Sequence, residues 1–292
     1  MIVAHDFNRN LELYRLPKQV KEMAERVCDI QIVDIQDAKP QDVEVFWGNR
    51  ITTSQIYDYP NLRWIHLGCS GTDRIDLERV LTTHAFSRSA EILSSPVAST
   101  AIMFMYALGR GLQWSLQHPH RSCMDDKLES MVDMRRAKTL VLGRGGIAQA
   151  IQSTLGTSKC HLMPARELNT DRVYGYDFII NTLPLTEGTL EVINFEWFKN
   201  MDPTAYFINV GRGETVNEDH LIQALKDKEI MGAGLDVVQN EPMGPDHPIV
   251  QMKEVLTTPH IAWYSRTYWE DELELFGRKL RRYRHRPKTG WV

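Results

Sequence analysis

Three short segments in the second half of the chain constrain its fold more than any other feature. They read Ile-Asn-Val-Gly-Arg-Gly (208–213), Gly-Leu-Asp-Val-Val-Gln-Asn-Glu-Pro (234–242) and Thr-Thr-Pro-His (257–260). Each is an apolar run of strand length that breaks off into a residue able to carry charge: Arg212, Asp236 then Glu241, and His260. Buried parallel strands read as continuous apolar runs, and open α/β sheets bind ligands outside the carboxyl ends of their strands. The pattern predicts a covered parallel sheet that delivers a guanidinium, a carboxylate and an imidazole to one edge. Those groups are the equipment for binding an acid and moving a proton.

The same rhythm runs along most of the chain. Ile2–Ala4, Gln31–Ile35, Val43–Trp47 and Arg63–Leu67 are strand-like and Pro17–Cys28 has helical spacing, which predicts a small α/β unit ending in the loop 68–73. A helix start follows, with Ser95 as N-cap and Pro96 at the first helical position. Its continuation, Ala101–Leu108, is apolar nearly all round, which suits burial on several sides, between domains or at a subunit interface. From Lys138 onward, strand-like runs at Thr139–Leu142, Cys160–Met163, Phe178–Leu183, Ala205–Val210, Gly232–Val238 and Val255–Thr258 alternate with helical stretches, most clearly Ile147–Leu155 and Glu218–Lys228. A helical Trp269–Tyr283 closes the chain. Strands alternating with helices argue for parallel sheets covered on both faces, and 292 residues give room for two domains of roughly 100–200 each.

Composition removes several function classes. The 42% hydrophobic and 25% charged content is that of an ordinary globular protein, and a net charge of −4 gives no general pull toward nucleic acid or anionic membrane. The start, Met1 to Asp6, lacks the basic and long apolar regions of a signal peptide, and no apolar stretch reads as long enough to span a bilayer. Cys28, Cys69, Cys123 and Cys160 lie far apart, without metal-ligand or disulfide spacing, so a reduced, cytoplasmic protein without a metal is expected. The basic run Arg278–Arg286 reads as cations at the C-terminal end of a helix rather than as a nucleic-acid surface.

Gly143-Arg-Gly-Gly-Ile-Ala148 fits G-x-G-x-x-[GA], follows a strand and opens a helix. In that context the glycines let backbone approach a pyrophosphate and the helix start supplies unpaired N–H groups, although tight turns without a ligand share the pattern. The next strand leaves as Leu162-Met-Pro-Ala-Arg-Glu167, where an NAD site usually carries an acid. Arg166 there could pair with the 2′-phosphate of NADP. The other reading is a solvated Arg166 with Glu167 on the ribose. The segment 181–189, from Asn181 to Thr189, ends another strand and suits either a cofactor-lining loop or an ordinary turn. Arg212, between glycines, can bind a carboxylate bidentately or form a structural ion pair. His260 is the best candidate for general acid/base, with Glu241 able to orient its ring. Taken singly, each is more often a core or surface residue.

Together these segments resemble the D-isomer-specific 2-hydroxyacid dehydrogenases. The resemblance covers about residues 62–285 and rests on G-x-G-x-I-A, N-x-L-P-x-T-x-x-T, I-N-x-G-R-G, G-L-D-V-x-x-x-E-P and T-P-H, in that order. It implies a flavodoxin-like substrate domain of 1–92 plus 264–292 with a Rossmann-type cofactor domain of 93–263 inserted into it. It implies that Arg212 grips substrate, that His260 donates the proton in reduction with Glu241 as its partner, and that Asp236 contacts the nicotinamide end. Ser70 and Gly71 would bind the substrate carboxylate through backbone N–H groups, beside Arg212 and His260. Gly143, Arg144, Gly145, Gly146, Ile147, Arg166, Leu183, Pro184, Thr189, Val210, Gly211 and Ala262 would complete the cofactor site. A homodimer around the interdomain helix is also implied. The chain departs from the family pattern at Gly146, where an Arg is frequent, so that a pyrophosphate contact is lost or supplied by Arg144. It also reads Val97-Ala-Ser-Thr100 where Val-Ala-Glu-His is common, and its helix after the glycine turn is short.

The expectation is therefore an oxidoreductase that reduces a small 2-oxo acid, of glyoxylate or hydroxypyruvate type, to the D-2-hydroxy acid, with NADP(H) preferred over NAD(H). Two rivals resemble it. One is a nucleotide-sensing corepressor on the same fold, which can retain the Arg–Glu–His set. The other is a formate-type dehydrogenase, which has Gln where Glu241 stands. Trp263 and Tyr264 follow His260 closely enough to line a pocket, with no direction given by the sequence.

Overall fold

The computed structural model describes residues 1–7, 15–117, 131–285 and 289–292; Cys123 and Arg286 lie outside the described residues. Its strands are β1 Ile2–His5, β2 Gln31–Asp34, β3 Val43–Gly48, β4 Trp64–Leu67, β5 Ala85–Arg88, β6 Thr139–Leu142, β7 Cys160–Met163, β8 Phe178–Asn181, β9 Tyr206–Asn209, β10 Gly232–Leu235, β11 Val255–Thr257 and β12 Gly290–Trp291. Its helices are α1 Lys18–Cys28, α2 Thr53–Ile56, α3 Leu77–Thr83, α4 Ala90–Gly109, α5 Leu112–Gln117, α6 Gly146–Leu155, α7 Phe195–Asn200, α8 Glu218–Lys226, α9 Pro248–Gln251 and α10 Tyr268–Arg284. Two six-stranded sheets result, in the orders β12-β5-β4-β3-β1-β2 and β11-β10-β9-β8-β6-β7, with every pair parallel. The α/β class with two parallel sheets is what the chain adopts. The fold divides into two units, Met1–Leu93 with Ser265–Val292, and Ser94–Tyr264.

In the second unit β6, β8, β9 and β10 are buried at every residue. Alternate side chains feed two cores, one on each face. Leu140, Leu142, Ile179 and Phe207 join one, while Val141, Phe178, Ile180, Tyr206 and Ile208 join the other. A one-residue slip would exchange these sets, so the register is firmly specified. Chain order reverses between β6 and β8, with β7 on one side and β8 to β11 on the other, which makes the carboxyl ends of β6 and β8 the switch point where such sheets bind ligands.

The first unit is built on the same plan, with α10 laid on its sheet. Phe276 stacks on Trp47 and Trp64, at 4.1 Å and 5.2 Å between ring centroids. The fully buried carboxylate of Glu272 on α10 accepts hydrogen bonds from Trp47 Nε1 on β3 (2.7 Å) and from the Ser89 hydroxyl after β5, and it lies 3.3 Å from His66 Nε2 on β4. Acids open α10 and arginines close it, complementing its dipole. Within the basic run, Arg278 pairs with Glu91 at 2.8 Å and Arg284 caps the carbonyl of Cys28 at the end of α1.

Two expectations need correction. Helix α4 starts at Ala90, not after Ser95, and Pro96 lies inside it. The Ser-Pro pair mimics a start, but the Ser89 carbonyl already accepts N–H bonds from Ile92 and Leu93, which winds the first turn earlier. The early start gives a 20-residue helix with an 18-residue window of mean hydropathy 1.5, so one stretch is long and apolar enough to cross a membrane, with half of that window buried in the protein. Helix α4 is buried on part of its surface. Val97, Ala101, Phe104, Met105 and Leu108 enter the core of the second unit, whereas Met103 and Tyr106 are about half exposed at 47% and 50%. Strands β5 and β12 are absent from the sequence reading because Ala85-Phe-Ser-Arg88 is half polar and β12 has two residues.

Candidate active site

At the switch point the turn after β6 is shaped by glycine. Gly143 has φ +124°, and a Cβ there would strike the Thr182 hydroxyl at the end of β8. Gly145 is the N-cap of α6 with no side-chain cap, and a Cβ on it would meet nothing within 4 Å. The start of this ten-residue helix is bare beside Gly145, where anything bound can approach the backbone closely, while the Ser94 hydroxyl packs against Gly146. That arrangement fits the pyrophosphate of a dinucleotide. Gln149 braces the turn through the Arg144 carbonyl (3.1 Å).

Arg212 is presented by a turn that two buried asparagines hold. Asn181 and Asn209 are paired residues at the ends of β8 and β9. Asn181 donates to Asn209 Oδ1 (3.0 Å) and to the Thr215 hydroxyl (2.7 Å), while its own Oδ1 accepts from the Leu183 N–H (3.1 Å). Asn209 accepts from the Gly211 N–H (3.1 Å) and donates to the Arg212 carbonyl (3.1 Å), which Thr215 Oγ1 also binds (2.7 Å). The flanking glycines are sterically required. A Cβ on Gly211 would sit 2.8 Å from the Leu183 carbonyl oxygen, and one on Gly213 would strike the Val238 carbonyl.

Val238 begins the next contributor. Its N–H binds Glu241 Oε1 (3.3 Å), and Glu241 Oε2 lies 2.7 Å from His260 Nδ1. The turn bearing Arg212 and the turn bearing Glu241 thus meet backbone to backbone at Gly213 and Val238. His260 has φ +54°, and its N–H reaches the carbonyls of Asp236 (2.9 Å) and Thr258 (3.0 Å). The buried Asp236 carboxylate accepts from Thr258 Oγ1 (2.6 Å), Ile261 N–H (3.0 Å) and Ala262 N–H (3.1 Å), so it clasps the loop that carries the imidazole. Trp263 Nε1 donates to the His260 carbonyl (3.1 Å), and Tyr264 meets the Trp263 ring edge-on.

The electrostatics match the geometry. Burial alone would disfavour a charged imidazole at His260. The Glu241 hydrogen bond and charge, with the Asp236 charge, outweigh burial and Arg212 and hold the pKa above its ordinary value. Burial likewise pushes the Glu241 carboxyl up, but the His260 hydrogen bond and charge, the Val238 N–H and Arg212 hold it below the usual carboxylate value. With Nδ1 committed to Glu241, Nε2 is the nitrogen left to exchange a proton.

In the first unit the turn after β4 offers a different grip. The Gly68 carbonyl accepts from the Tyr268 hydroxyl (2.9 Å), that of Cys69 from the Ser89 N–H (3.3 Å), that of Ser70 from Arg88 Nη1 (2.7 Å) and that of Gly71 from the Cys69 thiol (3.5 Å). A planar trans peptide points its N–H opposite to its carbonyl. Each held carbonyl therefore turns the N–H of the following residue away from its own donor, and the N–H groups of Ser70, Gly71 and Thr72 have no acceptor among the described residues. Successive N–H groups of this kind form an anion-binding nest.

Residues 102–262 match the D-isomer specific 2-hydroxyacid dehydrogenase NAD-binding domain. The chain is 30% identical over 240 residues, 74% of its length and 72% of the relative's, to glyoxylate/hydroxypyruvate reductase B of Yersinia pestis strain Pestoides F. The chain belongs to the D-isomer specific 2-hydroxyacid dehydrogenase family. The fold agrees with solved structures. An NADPH-dependent glyoxylate/hydroxypyruvate reductase from Sinorhizobium meliloti superposes with a TM-score of 0.76 at 23% identity, over 97% of this chain and 93% of that one. An acyclic imino acid reductase bound to NADPH and D-arginine gives 0.80 at 18% identity, over 98% and 97%.

In this dehydrogenase the remaining candidates fall into three groups. Ile147 lies in the first turn of α6, and the buried Leu183, Val210 and Ala262 follow β8, β9 and β11. Thr189 is a brace, its hydroxyl bonded to the Pro184 carbonyl (2.6 Å) and accepting from the Thr186 N–H (2.8 Å). Arg166 stands exposed in the turn after β7, 3.4 Å from Glu167. Beside it a cavity of about 520 Å³ is lined by Arg144, Pro164, Glu167, Arg172 and Tyr176, among others. The sequence reading lacked Asn209, Thr215 and Thr258 as positioning residues and Arg88 behind Ser70. The one available signal was the shared Ile-Asn ending of β8 and β9.

Proposed function

We propose that this D-2-hydroxyacid dehydrogenase reduces a small 2-oxo acid of glyoxylate or hydroxypyruvate type, with NADPH preferred over NADH. The observation that carries the reading is the 2.7 Å contact of His260 Nδ1 with Glu241, beside the Arg212 turn. Gly143, Gly145, Gly146, Ile147 and the start of α6 would hold the pyrophosphate, and a bound reduced nicotinamide supplies the hydride. Arg212 polarises the carbonyl, so that negative charge developing on its oxygen faces a fixed cation. His260, kept charged by Glu241, gives its Nε2 proton to that oxygen as the bond to carbon forms, and returns to the neutral imidazole. The nest of Ser70, Gly71 and Thr72 takes the substrate carboxylate. Asp236 serves the imidazole by fixing its loop, which is compatible with a contact to the nicotinamide end.

Three arginines support the NADPH preference: Arg166 where an acid commonly reads the ribose, and Arg144 and Arg172 in the wall of the adjoining cavity. The Sinorhizobium relative, solved with NADP, is consistent with it. We place the enzyme in the cytoplasm as a homodimer. Steady-state assays of glyoxylate, hydroxypyruvate, pyruvate and bulkier 2-oxo acids, each with NADH and NADPH, test the whole reading. The expected result is the highest kcat/KM for a two- or three-carbon acid with NADPH. No oxidation of either cofactor with any acid would overturn the reaction, and a strong NADH preference would overturn the assignment to the arginines.

A further inference from the structure

The nest after β4 is held by four carbonyl anchors, and Arg88 is the charged one. Its Nη1 donates to the Ser70 carbonyl at 2.7 Å. That carbonyl belongs to the same peptide unit as the Gly71 N–H, the middle donor of the nest. Hydrogen bonds from an ionised donor are roughly twice as strong as neutral ones. A cation on the oxygen also polarises the peptide, which makes the N–H at its other end a better donor. Arg88 therefore turns the Gly71 N–H outward and strengthens it.

Arg88 is itself held in place. It is the last residue of β5, paired in register with Leu67 of β4, the residue from which the turn departs. Its guanidinium lies over the indole of Trp291, 5.6 Å from the ring centroid. Trp291 belongs to β12, which pairs with β5 and is tied further by the Val292 N–H to the Phe86 carbonyl (2.8 Å) and by Lys279 to the Val292 carbonyl (2.9 Å). The last residues of the chain thus back the arginine that backs the turn.

We propose that Arg88, seated on Trp291, is the positioning residue for substrate carboxylate binding. This rests on the reading of the Ser70–Thr72 nest as the carboxylate site. It assigns to the C-terminal strand a part in affinity for the acid and none in hydride transfer.

The test is the kinetics of R88M, R88K and W291A with the wild type's best 2-oxo acid and cofactor. In R88M the KM for the acid should rise roughly ten- to a hundredfold, the range for loss of a hydrogen bond to a charged group. Its kcat should stay within about threefold and its KM for cofactor should be unchanged, because the lost interaction is made equally in ground and transition states. R88K keeps a charge but not the planar stacking, and should fall between wild type and R88M. Trp291 is a half-exposed edge residue, so W291A keeps the fold; its KM for the acid should rise about two- to fivefold. If R88M does not fold, R88K and W291A decide. Unchanged KM for the acid in the folded variants, or an equal loss of kcat and of cofactor affinity, overturns the inference while leaving an active wild type as support for the function. A wild type inactive on every 2-oxo acid removes the function and this inference together.

Discussion

His260 and Glu241 form a pair in which each sets the other's charge. The imidazole titrates above its ordinary value because, against burial, the Glu241 carboxylate stabilises its charged form, and the carboxylate titrates low for the reciprocal reason. In reduction the working form is the protonated imidazole. Activity should therefore be full at pH below the raised His260 value and fall as pH rises through it. Replacing Glu241 with Gln keeps an acceptor near Nδ1 but removes the charge, so the alkaline limb of the kcat/KM profile for reduction should move to lower pH. A limb that stays in place would mean that another group governs it. His260→Ala removes the proton donor and should lower turnover by roughly 10²–10⁴-fold, the usual contribution of general acid catalysis. Cofactor affinity, measured by nucleotide fluorescence titration, should persist, because the glycine turn after β6 shares no hydrogen bond with His260.

Among the elements, the in-register asparagines at the ends of β8 and β9 do for the Arg212 turn what Asp236 does for the His260 loop. Asn209→Ala would strip partners from the Asn181 amide, the Gly211 N–H and the Arg212 carbonyl, all buried or nearly so. Leaving a buried polar group unpaired costs about 1–3 kcal/mol, so urea unfolding should show a loss of that size. The KM for the 2-oxo acid should rise as well, because the guanidinium loses its fixed base. A variant that loses stability while keeping wild-type KM would show that the asparagines support the sheet and not the arginine. The same elements show what could be read from the sequence and what could not. Parallel strands covered on both faces are apolar at every position, so β6, β8, β9 and β10 stand out, and the residues that end them name the chemistry. The start of α4 was hidden because Ser95-Pro96 has the local chemistry of a helix start, while the bonds that begin the helix run to Ser89. The pairing of Asn181 with Asn209, the need for glycine at 213 and the hold of Arg88 on Ser70 were hidden for another reason. Each depends on which strand ends are neighbours, and sheet order decides that.

At the scale of the whole molecule, α4 presents two contrasting faces. One face of the helix is locked into the core of the second unit, with Phe104 packed so closely on Gly234 that a Cβ there would lie 2.7 Å from its ring. The other face shows Met103 and Tyr106 one turn apart, and the following helix α5 adds Leu112 and Leu116, at 50% and 71% exposure. Length and hydropathy alone would admit α4 to a membrane. A lipid-spanning helix is apolar all round, however, whereas this one carries a core-packed face and exposed Glu91, Ser95 and Ser99. A second copy of the chain fits better. Two-fold dimers bury the same patch from both partners, and large exposed apolar patches on globular proteins commonly mark such interfaces. The wild type should therefore run as a dimer in size-exclusion chromatography with light scattering. Tyr106→Glu, which places a charge on the exposed face of α4 in each partner, should shift it to monomer with the circular dichroism spectrum retained. A wild type that is monomeric at tens of micromolar, or that sediments with added lipid vesicles, would refute the dimer. Dissociation in Tyr106→Glu with the second unit still folded would fix the interface on α4.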